Sequence, residues 1–218
     1  TAMSREYVAR DPRTGRPIDV GRSRRHKRKR ETVEGPWMAI PPQAVIPLAT
    51  MQIETYKVGW KEKDHHMGRL DGIKALSKLG GNLVHEAHRI LIDCLMDDEP
   101  EVRAAGLFAL PFVAESKPNE LFDHLSVLLD DSNSSVRRAA SECLKRVAPI
   151  FPSATDSTLA FELRHHVRQR REAAFGGLGE LCSTWPEVAC DHIDELLQEE
   201  SLELRRKASG LLRRVLSK

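Results

Sequence analysis

The chain has 218 residues, of which 40% are hydrophobic, 30% charged and 5% aromatic, enough apolar material for one or two globular domains. No apolar run approaches the ~20 residues that a bilayer-spanning helix needs, and the four irregularly spaced cysteines, Cys94, Cys143, Cys182 and Cys190, are too few for a disulfide scaffold, which points to a reducing intracellular compartment. The net charge of +2 conceals an asymmetry: residues 1 to 36 hold 11 Lys+Arg against 5 Asp+Glu, a net of +6, whereas residues 37 to 218 carry a net of −4.

Residues 1 to 36 read as an irregular, extended arm. They lack any apolar period, and Asp11-Pro12, Thr14-Gly15-Arg16-Pro17 and Gly35-Pro36 punctuate them with turn residues. Within the arm, Arg22, Arg24, Arg25, Lys27, Arg28, Lys29 and Arg30 place seven cations in nine positions. Such a run releases counterions condensed on a nucleic acid and binds it with a steep salt dependence. RNA is therefore the expected partner of the arm; an import receptor, an acidic protein or an anionic membrane surface is attracted by the same clustered charge. A start at Thr1-Ala2 with no apolar signal core fits removal of a mitochondrial or plastid presequence, an expression remnant before Met3, or a trimmed sequence.

Residues 37 to 63 contain Ile40-Pro41-Pro42 and Ile46-Pro47 among the apolar anchors Val45, Leu48, Met51, Ile53 and Tyr56. The prolines predict an extended linker packed on the body. Trp37, Tyr56 and Trp60 are expected as core anchors, with base stacking as the alternative.

From residue 64 onward the sequence repeats with a period of 34. An arginine recurs as Arg69, Arg103, Arg137, Arg171 and Arg205, and a leucine seven residues later as Leu76, Leu110, Leu144, Leu178 and Leu212. A second phase joins Leu91, Leu125, Leu159 and Ile193, with Leu95, Leu129, Leu163 and Leu197 four residues further, the spacing of one helix face. Each unit is thus a helix pair, and helices are expected near 65–79, 83–97, 101–115, 119–130, 134–148, 154–166, 168–184, 187–199 and 202–217. Gly80-Gly81 with Asn82, first-turn Pro118 and Pro186, and a Ser153–Asp156 capping box mark boundaries.

This pattern resembles HEAT repeats, whose second helix opens with Val-Arg after an Asp-rich turn; Asp97-Asp98-Glu99-Pro100-Glu101-Val102-Arg103 matches best. The resemblance implies an all-α, HEAT-like α-α superhelix of four to five helix pairs over residues 64 to 218. It also implies a structural ladder of ion pairs in which an acid stands six residues before each arginine, as Asp97 before Arg103, Asp131 before Arg137 and Glu199 before Arg205. His165 before Arg171 and Lys63 before Arg69 depart from it.

The chemistry-bearing residues support no enzyme. The HEAT-like deoxyhypusine hydroxylases hold iron with several converging His-Glu pairs, and here His85-Glu86 stands alone. Cys182, Cys190 and His192 lack the Cys-x-x-Cys spacing of a zinc site. His65-His66 and His165-His166 are expected near helix ends as surface or capping residues. Neither Trp185 nor Asp191 and Asp194 is placed as in the HEAT-like alkylpurine DNA glycosylases, and no residue would handle a bilin. No catalytic residue, metal site, cofactor or small-molecule substrate is expected. Basic residues gather in Arg164–Arg171 and the last helix while residues 93 to 131 are acid-rich, a bipolar surface suited to two neighbours or to ordinary solvation. The expected function is a non-enzymatic scaffold or adaptor subunit of a large assembly, foremost a ribonucleoprotein such as an organellar ribosome. An accessory subunit of an organellar membrane complex and a repair glycosylase are the alternatives.

Overall fold

The computed structural model describes residues 34 to 113 and 118 to 216. The cations at 22 to 30 therefore lie outside the described residues, as does most of the arm.

Helices follow in pairs: α1 (Pro42–Ala49) and α2 (Arg69–Ala75); α3 (Val84–Leu95) and α4 (Pro100–Ala109); α5 (Pro118–Leu128) and α6 (Ser134–Val147); α7 (Pro152–Glu162) and α8 (Arg168–Thr184); α9 (Pro186–Leu197) and α10 (Leu202–Leu216). Proline opens α1, α4, α5, α7 and α9, where its fixed φ suits the first turn and its missing N–H costs nothing. Asn133 caps α6 by accepting the Ser135 amide at 2.8 Å. The Ser153–Asp156 capping box does not form: α7 starts two residues earlier than expected, at Pro152, and Asp156 meets His192 instead.

The second helices of successive pairs, α2, α4, α6 and α8, pack side by side into one layer, with α10 beside α8 and α9. The repeated leucines fill the seams. Leu76, Leu110, Leu144 and Leu178 are fully buried, as are Leu91, Leu125, Leu159 and Ile193 on the first helices. Where the two helices of a pair cross, the register position is Gly72, Gly106, Ala140, Ala174 or Ala208, all buried. A Cβ on Gly72 would stand 2.6 Å from the Ala49 amide nitrogen, so α1 and α2 touch backbone to backbone.

The segment 37–63 departs from the extended linker that its prolines predict. A short 3₁₀ turn (Pro36–Ala39) leads into α1, which buries Val45 and Leu48. Pro47 sits inside α1 and leaves the Gln43 carbonyl without an intrahelical donor, which Gln43 tolerates because it is exposed to water. Helix α1 packs on α2 as the first member of its pair, and a hairpin is inserted between them. Strands β1 (Tyr56–Trp60) and β2 (Lys63–Met67) pair Tyr56 with Met67 and Trp60 with Lys63. Their two-residue loop holds Lys61 and Glu62 at φ 46° and 65°, the left-handed geometry of a type I′ turn. His65 and His66 therefore lie on β2, and the helix expected from residue 65 begins at Arg69. The solenoid is helical throughout its repeats, with this one hairpin added among the described residues.

Candidate functional site

In the last four pairs, the turn between the two helices is built around the recurring arginine. Arg103 donates Nη1 to the carbonyls of Asp97 and Asp98, Arg137 to those of Asp131 and Ser132, Arg171 to those of His165 and His166, and Arg205 to those of Glu199 and Glu200. Each guanidinium thus satisfies carbonyls left open where the preceding helix ends. The residue six positions before the arginine gives that arginine its backbone oxygen, which leaves its side chain to face other partners. At the spacing of six, the acid and arginine therefore share a backbone hydrogen bond and, for Asp97 with Arg103 and Asp131 with Arg137, a charge attraction.

The carboxylate partner lies instead 28 residues ahead, in the next pair. Arg69 Nη2 meets Asp97 Oδ2 at 2.8 Å, and Arg103 grips Asp131 with Nε at 2.9 Å and Nη2 at 3.0 Å. Each aspartate also accepts the amide two residues on, Asp97 from Glu99 at 2.9 Å and Asp131 from Asn133 at 2.8 Å. Burial opposes ionisation of Asp131, yet the Arg103 hydrogen bonds, the Asn133 amide and the charges of Arg103 and Arg137 hold its pKa below the ordinary value. Asp97 is likewise lowered: burial works against it, and the Glu99 amide with Arg69 and Arg103 outweighs burial.

The same step from Arg137 arrives at His165. Its Nδ1 accepts the Val167 amide at 3.2 Å, reproducing the aspartate's local turn with a neutral imidazole. Desolvation and the nearby charges of Arg170 and His166 lower its pKa, which favours that neutral form. It supplies no carboxylate. Among the described residues no acid meets Arg137 as Asp131 meets Arg103. The step from Arg171 reaches Glu199, which pairs with Arg164 at 3.4 Å.

A cavity of about 380 Å³ opens beside Arg137, between α6 and α8. Its polar lining includes the charged Arg137, Arg138, Lys145 and Glu172 beside Ser134, Ser141 and Gln169. Glu172 is held by Lys207 and Arg168, and its carboxyl is lowered chiefly by the Lys207 hydrogen bond. The remaining lining charge is positive. The Lys145 stem crosses Gly176, where a Cβ would stand 2.6 Å from its Cε.

One buried ion pair is absent from the sequence reading. Glu162 is 0% exposed, and Arg170 clasps it through Nε at 2.7 Å and through Nη2. Register comparison contains the signal: the matching pairs are Cys94 and Val102, Leu128 and Val136, and Leu196 and Leu204. Most of the basic turn at 164–171 is also neutralised locally. Arg164 meets Glu195 at 2.7 Å, and Arg168 lies 3.9 Å from Glu203. These exposed pairs contribute little to stability.

The remaining candidates have structural surroundings. Burial pushes the thiols of Cys94 and Cys143 up to about 11 and about 12, far from the range of a reactive thiolate. His192 Nε2 lies 2.7 Å from Asp156 Oδ1. Trp185 donates Nε1 to the Pro149 carbonyl at 3.0 Å, and Trp37 stacks edge-on against Phe108 at 5.9 Å. Among the described residues no three His, Cys, Asp or Glu side chains are grouped to hold a metal ion, and no helix is long and apolar enough to cross a membrane.

A family model described as HEAT repeat matches residues 121–151, the stretch holding most of α5, its turn and α6. The fold is a HEAT-like α-solenoid, with residues 121–151 matching the repeat itself. The archaeal HEAT-like repeats protein from Thermococcus onnurineus superposes with a TM-score of 0.51 at 15% identity, over 81% of this chain and 72% of that one. At that identity the likeness concerns the fold alone. YibA of Escherichia coli superposes at 0.47 with 20% identity, covering 80% and 63% of the two chains. A computationally designed armadillo repeat protein for modular peptide recognition gives 0.40 with 16% identity, covering 67% and 74%. The search of curated protein sequences finds no match. A HEAT-repeat solenoid of this form suggests a scaffold or protein-interaction role.

Proposed function

We propose that this HEAT-repeat solenoid is a non-enzymatic scaffold subunit of a ribonucleoprotein, in the manner of an organellar ribosomal subunit, with its repeat faces holding protein neighbours and its arm lying along RNA. The observation that carries the scaffold reading is the uninterrupted layer of second helices, a broad side-chain surface whose interior is consumed by repeat stacking. The RNA reading rests on Arg22, Arg24, Arg25, Lys27, Arg28, Lys29 and Arg30, which position a phosphate backbone without reading bases. The recurring arginines Arg69, Arg103, Arg137, Arg171 and Arg205, with Asp97, Asp131 and Glu199 in the turns, are assigned a structural role.

A native lysate containing the tagged full chain is run on a density gradient with and without ribonuclease. Co-migration with a heavy particle that collapses on nuclease treatment is the expected outcome. Replacing the seven arm cations by glutamine should release the protein from the particle at a lower salt concentration. In binding to single-stranded RNA, the salt slope should fall from about −5 toward zero if all seven contacts are made. A heavy particle indifferent to nuclease would replace this reading with an accessory subunit of a protein or membrane complex.

A further inference from the structure

Arg69, Arg103 and Arg137 occupy the same position in three successive helix pairs, and the first two each donate to an aspartate 28 residues ahead. At the third step the aspartate is replaced by His165, whose Nδ1 keeps the local turn but whose ring cannot accept a guanidinium through two oxygens. Arg137 therefore spends Nη1 on the carbonyls of Asp131 and Ser132 and meets no carboxylate among the described residues. The cavity of about 380 Å³ lies at this break in the ladder. Arg138 lines it, is exposed, and takes part in no ion pair among the described residues. Ser141 and Gln169 add neutral hydrogen-bonding groups.

We propose that this cavity receives an acidic side chain of a protein partner, whose carboxylate gives Arg137, from the cavity side, the kind of contact that Asp97 and Asp131 give Arg69 and Arg103. The proposal deepens the scaffold reading, on which it rests, by naming one partner-binding site and its chemistry. A bidentate guanidinium with a second cation beside it is the arrangement that best matches a planar oxyanion. The chain itself supplies the precedent, since both equivalent arginines bind carboxylates. A protein carboxylate is favoured over an RNA phosphate because it is the group that the equivalent Arg69 and Arg103 already hold. The nearby carboxylates are already engaged, Glu142 at 3.5 Å from Lys145 and Glu172 and Glu203 by Lys207, so they leave Arg137 and Arg138 to the incoming group. The site is an open notch between α6 and α8, reachable by a partner's side chain.

The test uses the full chain with Arg22, Arg24, Arg25, Lys27, Arg28, Lys29 and Arg30 changed to glutamine, so that the arm cannot capture the probe. The probe is a fluorescein-labelled peptide of alternating glutamate and glycine, read by anisotropy, with its glutamine counterpart as control. Saturable, salt-sensitive binding of the glutamate peptide alone is expected. His165→Asp closes the ladder with an internal carboxylate and should weaken binding about tenfold while leaving the thermal midpoint unchanged or raised. Arg138→Gln, at an exposed position, should weaken it about fivefold without unfolding the chain. Absence of saturable binding, binding by His165→Asp equal to that of the parent, or tighter capture of a labelled oligouridylate blocked by the same substitutions would each overturn the proposal. Because the arm is neutral in this experiment, its outcome is independent of whether the arm binds RNA on the gradient.

Discussion

Glu162 and Arg170 occupy, in the fourth helix pair, positions that the neighbouring pairs fill with apolar side chains such as Leu128 and Val136. Taking both charges out of water is costly, and the bidentate contact offsets that cost only while both partners remain. Glu162→Leu alone strands the Arg170 guanidinium and should destabilise the fold by about 3–5 kcal/mol; Arg170→Val alone should do the same to the carboxylate. The double variant restores the apolar pair of the other repeats and is expected at or above parental stability in urea unfolding. A double variant as unstable as the singles would mean that the local backbone is shaped by the ion pair. Asp131 supplies a second test at this scale. Its folded pKa is depressed, so its contribution is fully present above the unfolded carboxylate value of about 3.9 and is lost as pH falls below that toward the folded value. Between pH 6 and pH 2 the urea midpoint of the parent should therefore drop more than that of Asp131→Asn, and the gap between them should close at the acid end. Parallel curves would deny the Arg103 contact any part in folding.

The crossing of α1 and α2 is the tightest backbone contact that a glycine permits among the described residues, because a Cβ on Gly72 would meet the Ala49 nitrogen at 2.6 Å and the Leu48 carbonyl carbon at 2.9 Å. Backbone on both sides cannot yield as a side chain end does. Gly72→Ala should cost about 2 kcal/mol through forced separation of the two helices. Gly106→Ala, whose Cβ meets the Cys94 and Leu95 side chains at 3.2 Å and the Leu91 carbonyl oxygen at an ordinary 3.5 Å, should cost less. Equal losses in thermal unfolding would show that helix propensity, which favours alanine at both sites, is not the smaller term. Gly72 also marks where the sequence was legible and where it was not. From Val84 onward the 34-residue period carries enough apolar positions to place each helix within a few residues, because the same packing problem is solved repeatedly. Before Arg69 no period exists to follow. Pro42 and Pro47 read as helix breakers, yet one opens α1 and the other removes a donor only from the exposed Gln43. The hairpin was equally opaque, since Lys61-Glu62 is not a dipeptide that favours left-handed φ and only the closed register with Met67 compels it.

Over the whole molecule, the candidate site shows a similar division. Spacing exposes His165 as a departure from the acidic turns, but assigns its consequence to Arg171, whereas the solenoid's stacking carries it back to Arg137, 28 residues earlier. A contact between neighbouring turns is a property of the stack, and no single repeat contains it. The same quasi-one-dimensional construction predicts graded stability, since each pair is held by its own core and by its neighbours. Helix α6 buries Val136, Ala140, Cys143, Leu144 and Val147 between α4 and α8. Helix α10 buries Ala208 and Leu211 against α9 and α8, and leaves Leu202 and Leu216 exposed. Less apolar surface removed from water means a smaller free energy of local opening. Amides in the middle of α10 should therefore exchange with deuterium at least about tenfold faster than those in the middle of α6 under native conditions. Peptide-resolved mass spectrometry reads this directly. Uniform protection from α4 through α10 would instead mean that the helix pairs open as one cooperative body, with the seams between repeats as strong as the repeats themselves.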